Sequence, residues 1–189
     1  MLKHLRPALV LLALFTLLTG IGYPLAMTGI GQAAFNSQAN GSPIARDGMV
    51  VGSSLIGQQF TRPDYFWGRP SAAGKGYDAR SSSGSNLGPS SQALADRIKA
   101  EAERYGVPAR DIPLDLLTTS GSGLDPHISP SAARFQLARV AKARGLQEDV
   151  VSGLIDAHVE TPSLGVLGEE RVNVLALNLA LDELGRTPG

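Results

Sequence analysis

The chain has 189 residues, with 17 Lys and Arg against 17 Asp and Glu, three histidines and no cysteine. Without cysteine, disulfides and thiolate metal sites are excluded, and His4, His127 and His158 lack zinc-ligand spacing, so no structural metal is expected. Once Lys3 and Arg6 are set aside, the remainder is slightly acidic, which argues against a nucleic-acid partner.

The N-terminus is the most polarised part of the chain. Lys3, His4 and Arg6 precede a run from Ala8 to Met27 that is almost entirely apolar, and nothing between Pro7 and Ala45 is ionised. About 20 apolar residues rising 1.5 Å each cross the ~30 Å hydrocarbon layer. A basic tip ahead of such a run favours an inward N-terminus and places the rest of the chain outside. A cleaved signal peptide is the alternative. The apolar residues, however, continue through Ile21, Tyr23, Leu25 and Met27, and no Ala-x-Ala site comes after them, so the run is read as a retained anchor over 1–31 in contact with membrane lipid. Gly20, Gly22 and Pro24 are expected to weaken or kink its outer end. Its small residues suit either loose packing against lipid or close approach to another membrane helix.

Residues 32–48 are polar and small, and read as a linker. An external α+β domain is expected over 49–189, with a small sheet and about four helices. Met49 to Phe60 fits one or two short strands broken by Gly52 and Gly57. Thr61 to Pro89 is rich in Gly, Ser and Pro and carries the only tryptophan. Its Tyr65, Phe66, Trp67 and Tyr77 argue against disorder, because aromatic side chains seek a core or an interface.

Helical spacing then dominates. Leu94, Ile98, Ala102 and Tyr105 recur after a cap at Pro89–Ser91 and stop at Gly106. Ser129 caps a second helix, with Pro130 at its first position and an end near Gly145. On it Ala133, Leu137, Val140 and Ala141 share a face, while Phe135 points the other way. Gln147 to His158 predicts a third helix, and Val172 to Leu184 a fourth that is apolar nearly all round and therefore buried. Arg134, Arg139, Lys142 and Arg144 on the second helix read as a solvated face.

Several chemical motifs are approached and missed. Gly74-Lys75-Gly76 lacks both the first glycine and the Ser/Thr of a phosphate loop, since Arg69 and Gly76 occupy those positions. Gly121-Ser122-Gly123 lacks the third glycine of a dinucleotide fingerprint, and no serine sits in a Gly-x-Ser-x-Gly elbow. Ser120, Asp125 and His127 supply the residue types of a nucleophile relay, but at a spacing that seldom converges. The same segment, Thr118 to Pro130, reads either as a tight loop feeding a helix or as a polar cradle at that helix's N-terminus.

Five strings occur in order: Gly52-Ser53-Ser54-Leu55-Ile56-Gly57-Gln58, Tyr65-Phe66-Trp67-Gly68-Arg69-Pro70-Ser71, Gly84-Ser85-Asn86-Leu87-Gly88-Pro89, Ser120 through Pro130, and Arg171-Val172-Asn173-Val174-Leu175. With the single N-terminal helix, they resemble the C-subunit family of the Kdp potassium-transporting P-type ATPase over nearly the whole chain. The resemblance implies a non-catalytic accessory subunit of the bacterial inner (plasma) membrane. Its expected partners are a potassium-channel-like subunit and a P-type ATPase catalytic subunit. Its expected role is to assemble the complex and, as a catalytic chaperone, to raise the pump's affinity for ATP. No cofactor is expected to bind tightly, with ATP possible through the complex. This chain has Ser82-Ser83-Gly84-Ser85-Asn86 where the family usually has Ser-Gly-Gly-Ser-Asn, and Ser83 weakens any phosphate cradle there. Tyr65, Phe66, Trp67, Asn86, Ser120, Asp125 and His127 are the candidate partner-facing or loop-shaping residues, none assigned bond-making chemistry. The competing account is an independent exported binding protein or hydrolase released by signal cleavage.

Overall fold

A lone apolar span satisfies its backbone in lipid by closing into a helix, and the first element does so. In the computed structural model, α1 runs Leu5–Ala34 and its apolar window is fully exposed. Thirty residues span about 45 Å, ample for a bilayer core. Pro24 withdraws an amide donor and presses on the carbonyl four residues back. The helix answers with a π turn over Leu18–Gly22. The model describes residues 2–185; Met1 and residues 186–189, which fall in the anchor and domain spans predicted above, lie outside the described residues.

The chain divides into two compact units, one up to Val51 and one from Gly52 onward. In the first, a helical turn at Asn36–Ala39 follows α1, and strand β1 (Pro43–Arg46) pairs with β2 (Met49–Ser53). The span read as a linker thus carries ordered elements. Asp47 and Gly48 make the hairpin turn with φ of 52° and 79°, the left-handed pair that Asp-Gly supplies.

The second unit has four α-helices among its described residues. Helix α2 is Gln92–Tyr105, α3 Pro130–Arg144, α4 Glu148–Ala157 and α5 Val174–Leu184. A three-stranded antiparallel sheet has the order β3 (His127–Ile128), β5 (Arg171–Asn173), β4 (Val159–Glu160). Its register sets His127 opposite Asn173 and Glu160 opposite Arg171. The architecture is α+β.

Helix α3 starts as its sequence dictates: the Ser129 hydroxyl accepts from the Ala132 N–H, Pro130 follows, and Gly145 closes the helix at φ 66°. The predicted helix from Val172 begins two residues later. Val172 and Asn173 belong to β5, and the Asn173 carboxamide caps α5 by accepting from Ala176 N–H. Sheet pairing outweighs helical pattern there, because both strand neighbours need a partner.

The core joins Phe66, Leu116, Ile128, Val140, Val151, Ile155, Val172, Leu177 and Leu181. Each such side chain contributes about 1.5–3 kcal/mol by leaving water. Phe135, expected to point away, packs against this core from its edge, with its ring 5.5 Å from Tyr105 in a T-shaped contact.

Candidate functional site

The segment Tyr65-Phe66-Trp67 lies outside any helix or strand, and two helices hold it as a neighbouring strand would. The Asn178 carboxamide on α5 accepts from Phe66 N–H at 2.9 Å and donates to Phe66 O at 3.0 Å. Gln136 on α3 does the same for the next residue, accepting from Trp67 N–H at 2.8 Å and donating to Trp67 O at 3.0 Å. Both amides are almost wholly buried. They satisfy peptide groups that would otherwise be stranded in the core.

Two guanidiniums lie over the Trp67 ring, Arg104 at 3.8 Å and Arg139 at 3.9 Å. Arg139 also donates to Pro63 O, Tyr65 O and Gln136 Oε1. Burial pushes its pKa down to about 10, so it stays charged at neutral pH. Arg144 donates to Asp64 O and pairs with Asp182 at 2.8 Å, while the Tyr65 hydroxyl donates to the same carboxylate at 3.0 Å. The predicted solvated basic face is therefore corrected. Arg134 and Lys142 are exposed, but Arg139 and Arg144 are half-buried struts of the aromatic segment.

A second knot lies at the start of β3. Arg69 donates to Thr118 O and Thr119 O and pairs with Asp125 at 3.3 Å. Asp125 in turn accepts from the His127 backbone N–H at 3.0 Å and contacts His127 Nδ1 at 3.2 Å. Burial would raise the Asp125 carboxyl, but the two His127 contacts and Arg69 outweigh it and hold the group below the usual carboxylate range. Ser71 donates to Gly123 O and accepts from Tyr77 N–H, while the Tyr77 hydroxyl donates to Arg69 O. Burial lifts that phenol to about 12. Gly123, at φ 67°, leaves no room for a side chain: a Cβ there would stand 2.5 Å from Ser83 O and 2.7 Å from Ala73 N.

Ser120 is buried, and its hydroxyl accepts from Gly123 N–H at 2.9 Å, with Ser122 Oγ at 3.4 Å. Its contacts run to its own loop, whereas His127 turns to Asp125, so the three residues do not line up as a nucleophile relay. Ser122 accepts from Leu124 N–H, which leaves two of the loop's amides occupied internally. Ser83 N–H bonds Ser122 O, so that amide is also taken, and Asn86 is exposed with φ 52°. A cavity of about 400 Å³ beside β3 is lined by Arg69, Asp115, Asp125, His127, Glu169 and Arg171 among others. Among the described residues no group of three His, Asp or Glu side chains is arranged to hold a metal ion.

Sequence reasoning missed Gln136, Asn178 and Arg144. A polar residue such as Asn178, interrupting a helix that is apolar all round, was the available signal. It missed, too, the β4–β5 connection. There Ser163 and Leu167 exchange both backbone hydrogen bonds at 3.0 Å, and Leu164 (φ 56°) and Gly165 (φ 74°) make the turn. Its tip carries Leu164, Val166 and Leu167 at 90%, 79% and 63% exposure.

Fold and site together define a class: an α+β domain, knotted by its own polar loops, that follows one helix of membrane-crossing length and apolarity. The family model for the K+-transporting ATPase, c chain, matches residues 5–183, and the chain belongs to that family. Among its relatives, the potassium-transporting ATPase KdpC subunit of Caulobacter vibrioides NA1000 is 62% identical over 96% of this chain and 94% of its own length. The KdpC subunits of Methylorubrum populi and Rhodopseudomonas palustris are 56% and 53% identical, each over 98% of this chain and all of their own length.

Proposed function

We propose that the chain is the non-catalytic accessory subunit of an ATP-driven potassium pump of the bacterial inner membrane. The observation that carries this is membership of the c-chain family combined with a membrane-length helix whose apolar surface nothing in its own unit covers. Lys3 and Arg6 keep the N-terminus inside, and the α+β domain stands outside. Helix α1 packs against the membrane part of a channel-like potassium subunit and a P-type catalytic subunit. The exposed Leu164–Leu167 tip supports a docking role for the domain, since a soluble domain rarely holds three large aliphatic side chains in water on a closed hairpin. Leucine at positive φ adds about 1 kcal/mol of strain that the domain's own packing does not require.

An external domain cannot touch ATP across a bilayer, so the effect on ATP runs through the membrane helix to the catalytic subunit. Tyr65, Phe66, Trp67 and Ser120 shape the loops, Asp125 and His127 also line the cavity beside β3, and Asn86 is exposed to a partner. The test is potassium-dependent ATP hydrolysis by the complex purified with and without this chain. An accessory role predicts a raised apparent KM for ATP in its absence, restored on adding the chain back. Unchanged ATP dependence and potassium transport in its absence would contradict the proposal.

A further inference from the structure

We infer that the second unit carries an anion site for a phosphate-type oxyanion, in the cavity between α2 and the loops at 59–60 and 68–77. The cavity has a volume of about 200 Å³, room for roughly six or seven waters and thus for a phosphate group with a short substituent. Lys75, Arg97 and Arg104 line it and face a single carboxylate, Glu101, while Arg69, also on its wall, is matched by Asp125.

Arg97, Glu101 and Arg104 stand on one face of α2 through their i, i+4, i+7 spacing. Glu101 turns to Arg104 at 3.5 Å, which leaves Arg97 without it. Arg97 Nη1 is buried and has no hydrogen-bond acceptor among the described residues. A buried guanidinium donor without an acceptor costs about 1–3 kcal/mol or more, and the fork geometry of a guanidinium suits an oxyanion.

The opposite wall is a loop bent to present one ammonium. Gly74 and Gly76 flank Lys75 at φ 56° and 109°, and Tyr77 follows at φ 55°. The two glycines adopt this region without steric cost, so the turn can carry an exposed lysine at its tip, while the Ser71 and Tyr77 hydrogen bonds hold the following residue in place. Gly74-Lys75-Gly76 is no phosphate loop, and no helix begins at it. The site rests instead on convergence of a loop lysine with two arginines of α2. A phosphate-type oxyanion suits this balance better than a lone carboxylate does, because its several oxygens can accept from more than one cation at once.

The free anion and the phosphate of an anionic lipid headgroup share this chemistry, and one experiment separates them. The full chain in nonionic detergent is titrated calorimetrically with inorganic phosphate in one arm and with phosphatidylglycerol mixed micelles in the other. Wild type, Arg97→Gln and Lys75→Gln are compared. Saturable binding of phosphate, weakened about tenfold or more in either variant, supports the site with a free anion as ligand. Saturation by phosphatidylglycerol alone, lost in the same variants, supports it with the headgroup as ligand. No binding in either arm, or variants that bind as wild type does, overturns the inference. Lys75 is exposed, so Lys75→Gln keeps the test decisive even if Arg97→Gln unfolds.

Discussion

Asn178 and Gln136 each stand where a β-strand neighbour would, answering both backbone groups of Phe66 and Trp67. Truncating either one strands a buried amide and a buried carbonyl together. Asn178→Ala and Gln136→Ala are each expected to lower unfolding stability by ~1–3 kcal/mol, measured by denaturant melts of the full chain. Gly123→Ala meets Ser83 O and Ala73 N inside contact distance and places alanine at φ 67°; a loss of about 2 kcal/mol or more is expected in the same melts. The acid limb of stability belongs to Asp125, whose folded pKa is depressed. Its contribution is complete above the ordinary Asp value of about 3.9, and is lost as pH falls through the lower folded value. Asp125→Asn therefore flattens the fall in melting temperature between about pH 5 and pH 2, and an unchanged acid profile would show that the Arg69–Asp125–His127 knot carries no linkage. The aromatic and Ser-Gly-Leu-Asp-Pro-His strings were legible because their residue types are distinctive. Gln136 was not, since one glutamine on an exposed-looking helix has no periodicity to betray that it faces inward.

Helix α3 shows where pattern reading fails at the scale of an element. Its charges occur at positions that look solvated on a helical wheel, yet Arg139 and Arg144 bury their stems against Trp67 and Tyr65 because arginine keeps a polar head while its carbons and planar group pack. The caps at Ser129 and Gly145 were readable to the residue, because capping chemistry is local. The start of α5 was not, because whether Val172 and Asn173 join a helix or a strand is settled by β3 and β4, which lie far away in sequence. The β4–β5 hairpin makes a prediction of its own. Replacing Leu164, Val166 and Leu167 together by serine changes the stability of the full chain by no more than about 0.5 kcal/mol per site, since all three face water. If the tip docks, the same variant loses co-purification with the pump subunits; full recovery of them would remove the hairpin from the interface.

At the scale of the whole molecule, composition already separates an apolar, charge-poor N-terminus from a mixed domain, and the helix Leu5–Ala34 realises that division. Topology rests on two cations, Lys3 and Arg6, with no acid near them. The chain has no cysteine, so a single introduced one is a unique label. Ser90→Cys, on an exposed turn, is expected to react with a membrane-impermeant maleimide in intact spheroplasts. Labelling only after lysis would reverse the orientation and reopen direct contact with ATP.

The most direct measurement is affinity purification of the tagged full chain from its own membranes in mild detergent, with the co-purifying proteins identified by mass spectrometry. An accessory subunit brings with it, in fixed proportion, a P-type ATPase catalytic subunit and a channel-like potassium subunit, with its own N-terminal helix intact. A chain clipped near Gln32, recovered without either subunit, would contradict the account and leave an independent exported domain in its place.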